Sequence, residues 1–127
     1  MGMYTELVLK CRIKKNVPED VMNILAYLFD RKSEVEKPRG LPKHALFETP
    51  RWWGIGGCSS YYHHPEAMSS LYRGLGTYLF SRSDLKNYDN EIALFLGWLR
   101  PYLDHEKGEC IGWEWYEEDE KPTLIFA

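Results

Sequence analysis

The feature that most constrains the fold is a strand pattern followed at once by a helix pattern near the N-terminus. Residues 4–14 alternate between apolar and mainly charged side chains, which predicts a half-buried β-strand. The apolar set is Leu7, Leu9, Cys11 and Ile13. From Pro18 to Asp30 the apolar residues recur at helical spacing, so we expect a helix that packs its apolar stripe against that strand.

The remaining pattern predicts a second helix and several more strands. The predicted pieces are a short strand at 45–47, strands at 51–55 and 59–62, one helical turn at 65–71, a strand at 76–81, a helix that begins at Asp89 and is ended or kinked at Pro101, and a hairpin of 110–116 with 123–126. The principal elements follow the order β-α-β-β-β-α-β-β. This order predicts an α+β domain with a single antiparallel or mixed sheet and two helices on one face, which includes ferredoxin-like variants.

Composition restricts the class of protein. With 127 residues, 44% hydrophobic and 28% charged, the chain is long enough to form one domain, residues 1–127, with a core of its own. Three widely spaced cysteines indicate a reducing compartment, and no apolar run approaches the ~18 residues that span a bilayer. The sequence predicts a cytoplasmic protein that does not enter a membrane.

Catalysis has one candidate, the segment that contains Cys58, His63 and His64. A zinc site would need about four suitably spaced ligands, and adjacent histidines in an extended segment point to opposite sides. A cysteine enzyme with Cys58 as the nucleophile remains an alternative, although no third group that would orient the histidine is evident. We therefore predict no metal, no cofactor and no catalytic residue.

A basic and aromatic segment suggests binding to nucleic acid. Cations are frequent over residues 31–51, and an arginine beside tryptophans can stack on a base and contact phosphate. The candidate residues are Arg39, Lys43, Arg51, Trp52 and Trp53. The same interval also contains glutamates, and the formal net charge of the chain is -3, so nucleic-acid binding is the second hypothesis.

The first hypothesis is binding to another protein or to a second copy of this chain. Aromatic residues make up 15% of the sequence, and exposed tyrosines and tryptophans are favoured where proteins meet. If two helices cover only one face of the sheet, rings on the other face stay available for contact. Tyr61 and Tyr62 join Arg51, Trp52 and Trp53 as predicted contact residues, and a homodimer is the expected state.

Three segments carry a resemblance to known proteins. Residues 3–7, residues 14–21 and the Arg51-Trp52-Trp53 group together resemble small uncharacterised proteins that bacteriophages and prophages carry. The resemblance implies an accessory or interaction role, and it assigns no activity and no site residue.

Overall fold

The computed structural model describes residues 3–30, 33–57 and 69–127. Within these ranges two α-helices and five strands form, together with three short 3-10 turns. The strands are β1 (Thr5–Ile13), β2 (Ser70–Arg73), β3 (Thr77–Leu85), β4 (Cys110–Tyr116) and β5 (Thr123–Phe126). The helices are α1 (Glu19–Phe29) and α2 (Glu91–Leu99), and the 3-10 turns are Ala45–Glu48, Trp52–Gly54 and Arg100–Tyr102.

All five strands belong to one antiparallel sheet with the order β2-β3-β1-β4-β5. The prediction of an α+β fold with a single sheet and two helices is confirmed. Up to β4 the element order is the β-α-β-β-α-β order of ferredoxin-like motifs, and β5 adds an edge strand through the hairpin with β4. The first strand therefore lies at the centre of the sheet, between β3 and β4.

The predicted alternation of β1 sets the two faces of the sheet. Its four apolar residues on the predicted side are buried and belong to the same core cluster as the apolar residues of both helices. Leu7 and Leu9 are fully buried, as are Ile24 and Leu28 of α1. Burial of each such side chain contributes about 1.5–3 kcal/mol, so this face of β1 anchors the helical layer.

The start of α2 differs from its predicted start. Asp89 does not cap the helix, because the N-cap position is Asn90, which has a left-handed backbone with φ 61°. The side-chain oxygen of Asn87 accepts the backbone N–H of Ile92 instead, at 2.9 Å. The helix ends at Leu99, and Pro101 lies in the 3-10 turn that follows, as predicted.

Several predicted pieces between the helices are wrong. Residues 45–47 and 51–55 contain 3-10 turns instead of strands, because Trp52 inserts into the core against the rings of Tyr27 and Phe47. Ser70 and Leu71, predicted as helical, begin β2. The strand predicted at 76–81 continues to Leu85, and the strand predicted at 59–62 lies outside the described residues.

Candidate functional site

The face of the sheet that points away from the helices carries a row of aromatic side chains. Tyr72 on β2 and Tyr78 on β3 lie directly opposite each other, and their ring centres are 6.1 Å apart. They are 59% and 50% exposed. Phe80, two residues along β3, lies on the same face because side chains alternate along a strand. Ring surface is therefore exposed on this face, as the sequence predicts.

The register of β1 and β3 places a cation beside each β3 ring. Arg12 lies directly opposite Tyr78, and Lys10 directly opposite Phe80. Two residues further along β3, the guanidinium carbon of Arg82 lies 5.3 Å from the centre of the Phe80 ring. At this distance a cation and an aromatic ring attract each other. We call this set the β3 patch: Lys10, Arg12, Tyr72, Tyr78, Phe80 and Arg82.

A shallow hollow of about 380 Å³ opens on the β3 patch. It is lined by Lys10, Cys11, Arg12, Ser70, Tyr72, Tyr78, Leu79, Phe80 and His105. None of these described lining residues carries a carboxylate, although the exposed carboxylate of Glu109 lies beside His105 and close enough to Arg12 to interact with its charge. The charged side chains of the lining itself are therefore all cations. The hollow is suited to a flat, partly apolar ligand that bears negative charge.

His105 fixes the wall of this hollow. Its Nδ1 atom lies 3.0 Å from an oxygen of Glu109, and its Nε2 atom accepts the backbone N–H of Arg12 at 2.9 Å. The hydrogen bond with His105 lowers the pKa of Glu109. The guanidinium of Arg12 donates to the carbonyl of Asp104 at 3.2 Å, so backbone and side chain of Arg12 are both held in place.

The same face continues toward an acidic end. Glu6 on β1 lies opposite Asp84 on β3 and Trp115 on β4, and an oxygen of Glu6 accepts the indole N–H of Trp113 at 2.9 Å. Cations therefore concentrate at the β3 patch, and carboxylates lie at the opposite end of β1. A single phosphate should therefore bind more tightly at the β3 patch than beside Glu6.

A second hollow of about 310 Å³ contains two of the residues predicted from the sequence. It is lined by Tyr4, Arg51, Trp53, Gly54, Gly57, Asp84, Leu85 and Lys86. The Trp53 ring is 57% exposed, and its indole N–H donates to the carbonyl of Pro50 at 3.0 Å. We call this set of lining residues the Trp53 hollow.

The other predicted contact residues have different outcomes. Trp52 is 4% exposed, so its prediction as a surface contact is wrong: it packs against the Phe47 ring with centres 5.0 Å apart. Arg39 and Lys43 are exposed, and neither lines the two hollows. Tyr61 and Tyr62 lie outside the described residues.

Sequence reasoning did not select the β3 patch as a site. The alternation of β1 already placed Lys10 and Arg12 on the polar side of that strand, and the alternation of residues 76–81 placed Tyr78 and Phe80 on one side of theirs. The missing information was the pairing of these two strands, which lie far apart in the sequence.

The three residues of the cysteine hypothesis, Cys58, His63 and His64, lie outside the described residues. Burial raises the pKa of the Cys11 thiol to about 12, which makes this cysteine a poor nucleophile near neutral pH. Cys110 is exposed, and its thiol lies 3.6 Å from the carbonyl oxygen of Gly112.

Comparison of the chain with protein-family models, with curated proteins and with solved structures finds no match. In the described ranges, every helix falls short of the length and apolar content needed to cross a membrane. The geometry of the chain itself therefore carries the functional argument.

Proposed function

We propose that this chain binds single-stranded nucleic acid on the β3 patch, as an accessory protein in the cytoplasm of a bacterial or phage-infected cell. The observation that carries the proposal is the register that sets Arg12 against Tyr78 and Lys10 against Phe80. Bases stack on exposed rings while phosphates contact nearby cations, and the β3 patch offers both groups side by side.

The exposure of the rings favours an unpaired base as the ligand. Tyr72 and Tyr78 present about half of their surface to solvent, which leaves a ring surface on which a base can stack. In a duplex the bases are stacked on one another, so their flat faces are not free to meet a protein ring. Stacking contributes about 1–3 kcal/mol per base and depends little on the base, so we expect broad sequence tolerance.

The test is fluorescence anisotropy with labelled oligothymidylate and oligouridylate of about 12 nucleotides, within the range that single-strand-binding modules cover. Tyr78→Ala should weaken binding about tenfold or more, since tenfold corresponds to ~1.4 kcal/mol. Tyr78→Phe keeps the ring and should bind like the wild type. Leu75→Ala is the control, because Leu75 is 99% exposed on the turn between β2 and β3 and lines neither hollow.

Two results would overturn the proposal. One is the absence of binding by the wild type at low salt, about 50 mM, where phosphate contacts are strong. The other is equal affinity of the wild type and Tyr78→Ala, provided that both unfold at the same denaturant concentration. A preference for RNA over DNA, or the reverse, would refine the ligand without removing the proposal.

Self-association is a second candidate function, favoured by an exposed apolar patch on the last two strands. Trp115, Leu124 and Phe126 are 37%, 54% and 45% exposed, and the strand pairing places them on the face away from the helices. We call them the β5 patch. A two-fold contact requires a surface that complements itself, which an uncharged apolar patch does, so a second copy of this chain is the occupant that we propose.

Sedimentation velocity at micromolar concentration tests the dimer. The wild type should sediment as twice the 15.0 kDa chain, and Leu124→Lys should shift it to the monomer because it places a charge within the contact. Leu75→Lys is the control, since Leu75 is 99% exposed on the turn between β2 and β3. A wild type that is monomeric throughout would remove this candidate.

A further inference from the structure

We infer that the Trp53 hollow holds a second unpaired base of the same nucleic-acid strand, at a distance from the β3 patch that a very short oligonucleotide cannot span. This inference rests on the proposed function and adds to it a second subsite and a minimum ligand length. Three observations support it: the fixed orientation of the Trp53 ring, the cations beside this ring, and the course of β3 from the β3 patch to the Trp53 hollow.

Trp53 is held ready for stacking. Its ring is more than half exposed, yet its indole N–H is bonded to the carbonyl of Pro50 at 3.0 Å. A ring fixed in this way loses little conformational entropy when a base stacks on it. Next to it, a Cβ added at Gly54 would meet no atom of the described residues within 4 Å, so the described backbone here leaves room for a ligand.

Cations flank the Trp53 hollow in fixed positions. The Arg51 guanidinium lies 5.1 Å from the centre of the Tyr88 ring and 3.2 Å from a carboxylate oxygen of Asp89. The Lys86 ammonium lies 5.8 Å from the centre of the Tyr4 ring. Both can approach a phosphate that follows a base stacked on Trp53.

One carboxylate is present among the described lining residues of the hollow. Asp84 is only 6% exposed, and its backbone N–H donates to the carbonyl of Gly57 at 3.3 Å. The cations of the hollow are those of Arg51 and Lys86, and the Arg51 guanidinium is paired with the exposed carboxylate of Asp89. The hollow therefore combines an exposed ring with cations, as the β3 patch does.

The two places lie along one strand. Phe80, Arg82 and Asp84 alternate onto the same face of β3, and Asp84 also lines the Trp53 hollow. Asp84 lies four residues beyond Phe80, which corresponds to about 13 Å at the usual rise of a strand. Arg82 lies between them, where it can meet a phosphate of a strand that runs along β3.

A length series tests this inference with a thymidylate dinucleotide and an oligothymidylate of about 12 nucleotides: two adjacent bases are too close together to reach both places, and the longer ligand lies in the usual range for one module. Trp53→Ala should weaken binding of the longer ligand about tenfold and leave the shorter one, bound at the β3 patch, within twofold of the wild type. Trp53→Phe should restore most of the affinity. Leu41→Ala is the control, since Leu41 is 37% exposed and lines neither hollow.

The outcomes separate the two proposals. If the wild type binds neither length, the proposed function fails and the second subsite fails with it. If both lengths bind and Tyr78→Ala weakens both, but Trp53→Ala changes neither, the β3 patch stands and the second subsite is refuted. Equal loss for both lengths with Trp53→Ala would also refute it, because a separate subsite cannot affect a ligand that does not reach it.

Discussion

The Nε2 atom of His105 accepts the backbone N–H of Arg12 at 2.9 Å. This bond replaces a strand contact, because β4 pairs with β1 only as far as Leu9. Beyond that point Leu103 forms an isolated bridge with Ile13, and the N–H of Asp104 donates to the carbonyl of Arg12 at 2.9 Å. The segment 103–105 thus supplies the hydrogen bonds of this edge of β1 beyond the end of β4. These bonds hold in place the part of β1 that carries Lys10 and Arg12 of the β3 patch.

We expect His105→Ala to lower the free energy of unfolding by about 0.5–1.5 kcal/mol, since the substitution removes one hydrogen bond to a backbone donor that water can reach. Urea denaturation followed by tryptophan fluorescence measures the change. His105→Gln offers a side-chain oxygen as an acceptor and should recover part of the loss. A His105→Ala midpoint equal to that of the wild type would show that this bond contributes nothing to stability.

Glu114 gives a pH-dependent prediction. It lies opposite Leu7 on the side of the sheet that faces the helices, and removal from water raises its pKa above the ordinary value of 4.5. A folded-state pKa above the unfolded one means that the folded chain binds more protons in this window. The ionised carboxylate therefore lowers the free energy of unfolding. This effect is complete above the raised pKa and absent below about pH 4.5, where the side chain is protonated in both states.

Glu114→Gln removes this charge. Its unfolding midpoint should exceed that of the wild type at pH 7, and the difference should shrink as the pH falls through the raised pKa and vanish below about 4.5. The matched control is Glu118→Gln, in the exposed β4–β5 turn. A difference between wild type and Glu114→Gln that does not change with pH would contradict the desolvation argument.

Two glycines should respond oppositely to alanine. A Cβ on Gly56 would lie 1.9 Å from the carbonyl oxygen of Leu28, whereas one on Gly97 of α2 would meet no atom within 4 Å. Gly56→Ala should destabilise by about 1–3 kcal/mol or more, as overpacking does. Gly97→Ala should stabilise by up to about 1 kcal/mol, because alanine is the better helix former. Thermal unfolding of both variants checks this pair, and a stable Gly56→Ala would contradict the close packing of residues 56–57 on α1.

Local pattern was sufficient for the elements that bury one regular face. The alternation of β1 and the stripe of α1 were predicted because each has a clear period. The segment Arg51-Trp52-Trp53 was misread because aromatic residues favour strands on average, while here the burial of Trp52 between Tyr27 and Phe47 determines the local backbone. Tertiary packing, which the local sequence does not contain, decided the outcome.

The candidate site illustrates the same limit. Lys10 and Arg12 could be placed on the polar side of their strand from the sequence, but their rings come from β3, whose register with β1 is a long-range property. A one-residue shift of that register would move the rings to the other face. The strand pairing, and not any single motif, creates the β3 patch.

The salt dependence of binding to a single strand measures the phosphate contacts that the β3 patch makes. For wild type and labelled oligothymidylate of about 12 nucleotides, the logarithm of the association constant should fall linearly with the logarithm of salt concentration. Lys10→Gln should reduce the steepness by about 0.7, the value for one phosphate contact on a single strand, while Lys15→Gln, in the exposed turn after β1, should leave it unchanged. Binding that is absent at low salt, or a slope that Lys10→Gln does not alter, would contradict nucleic-acid binding at the β3 patch.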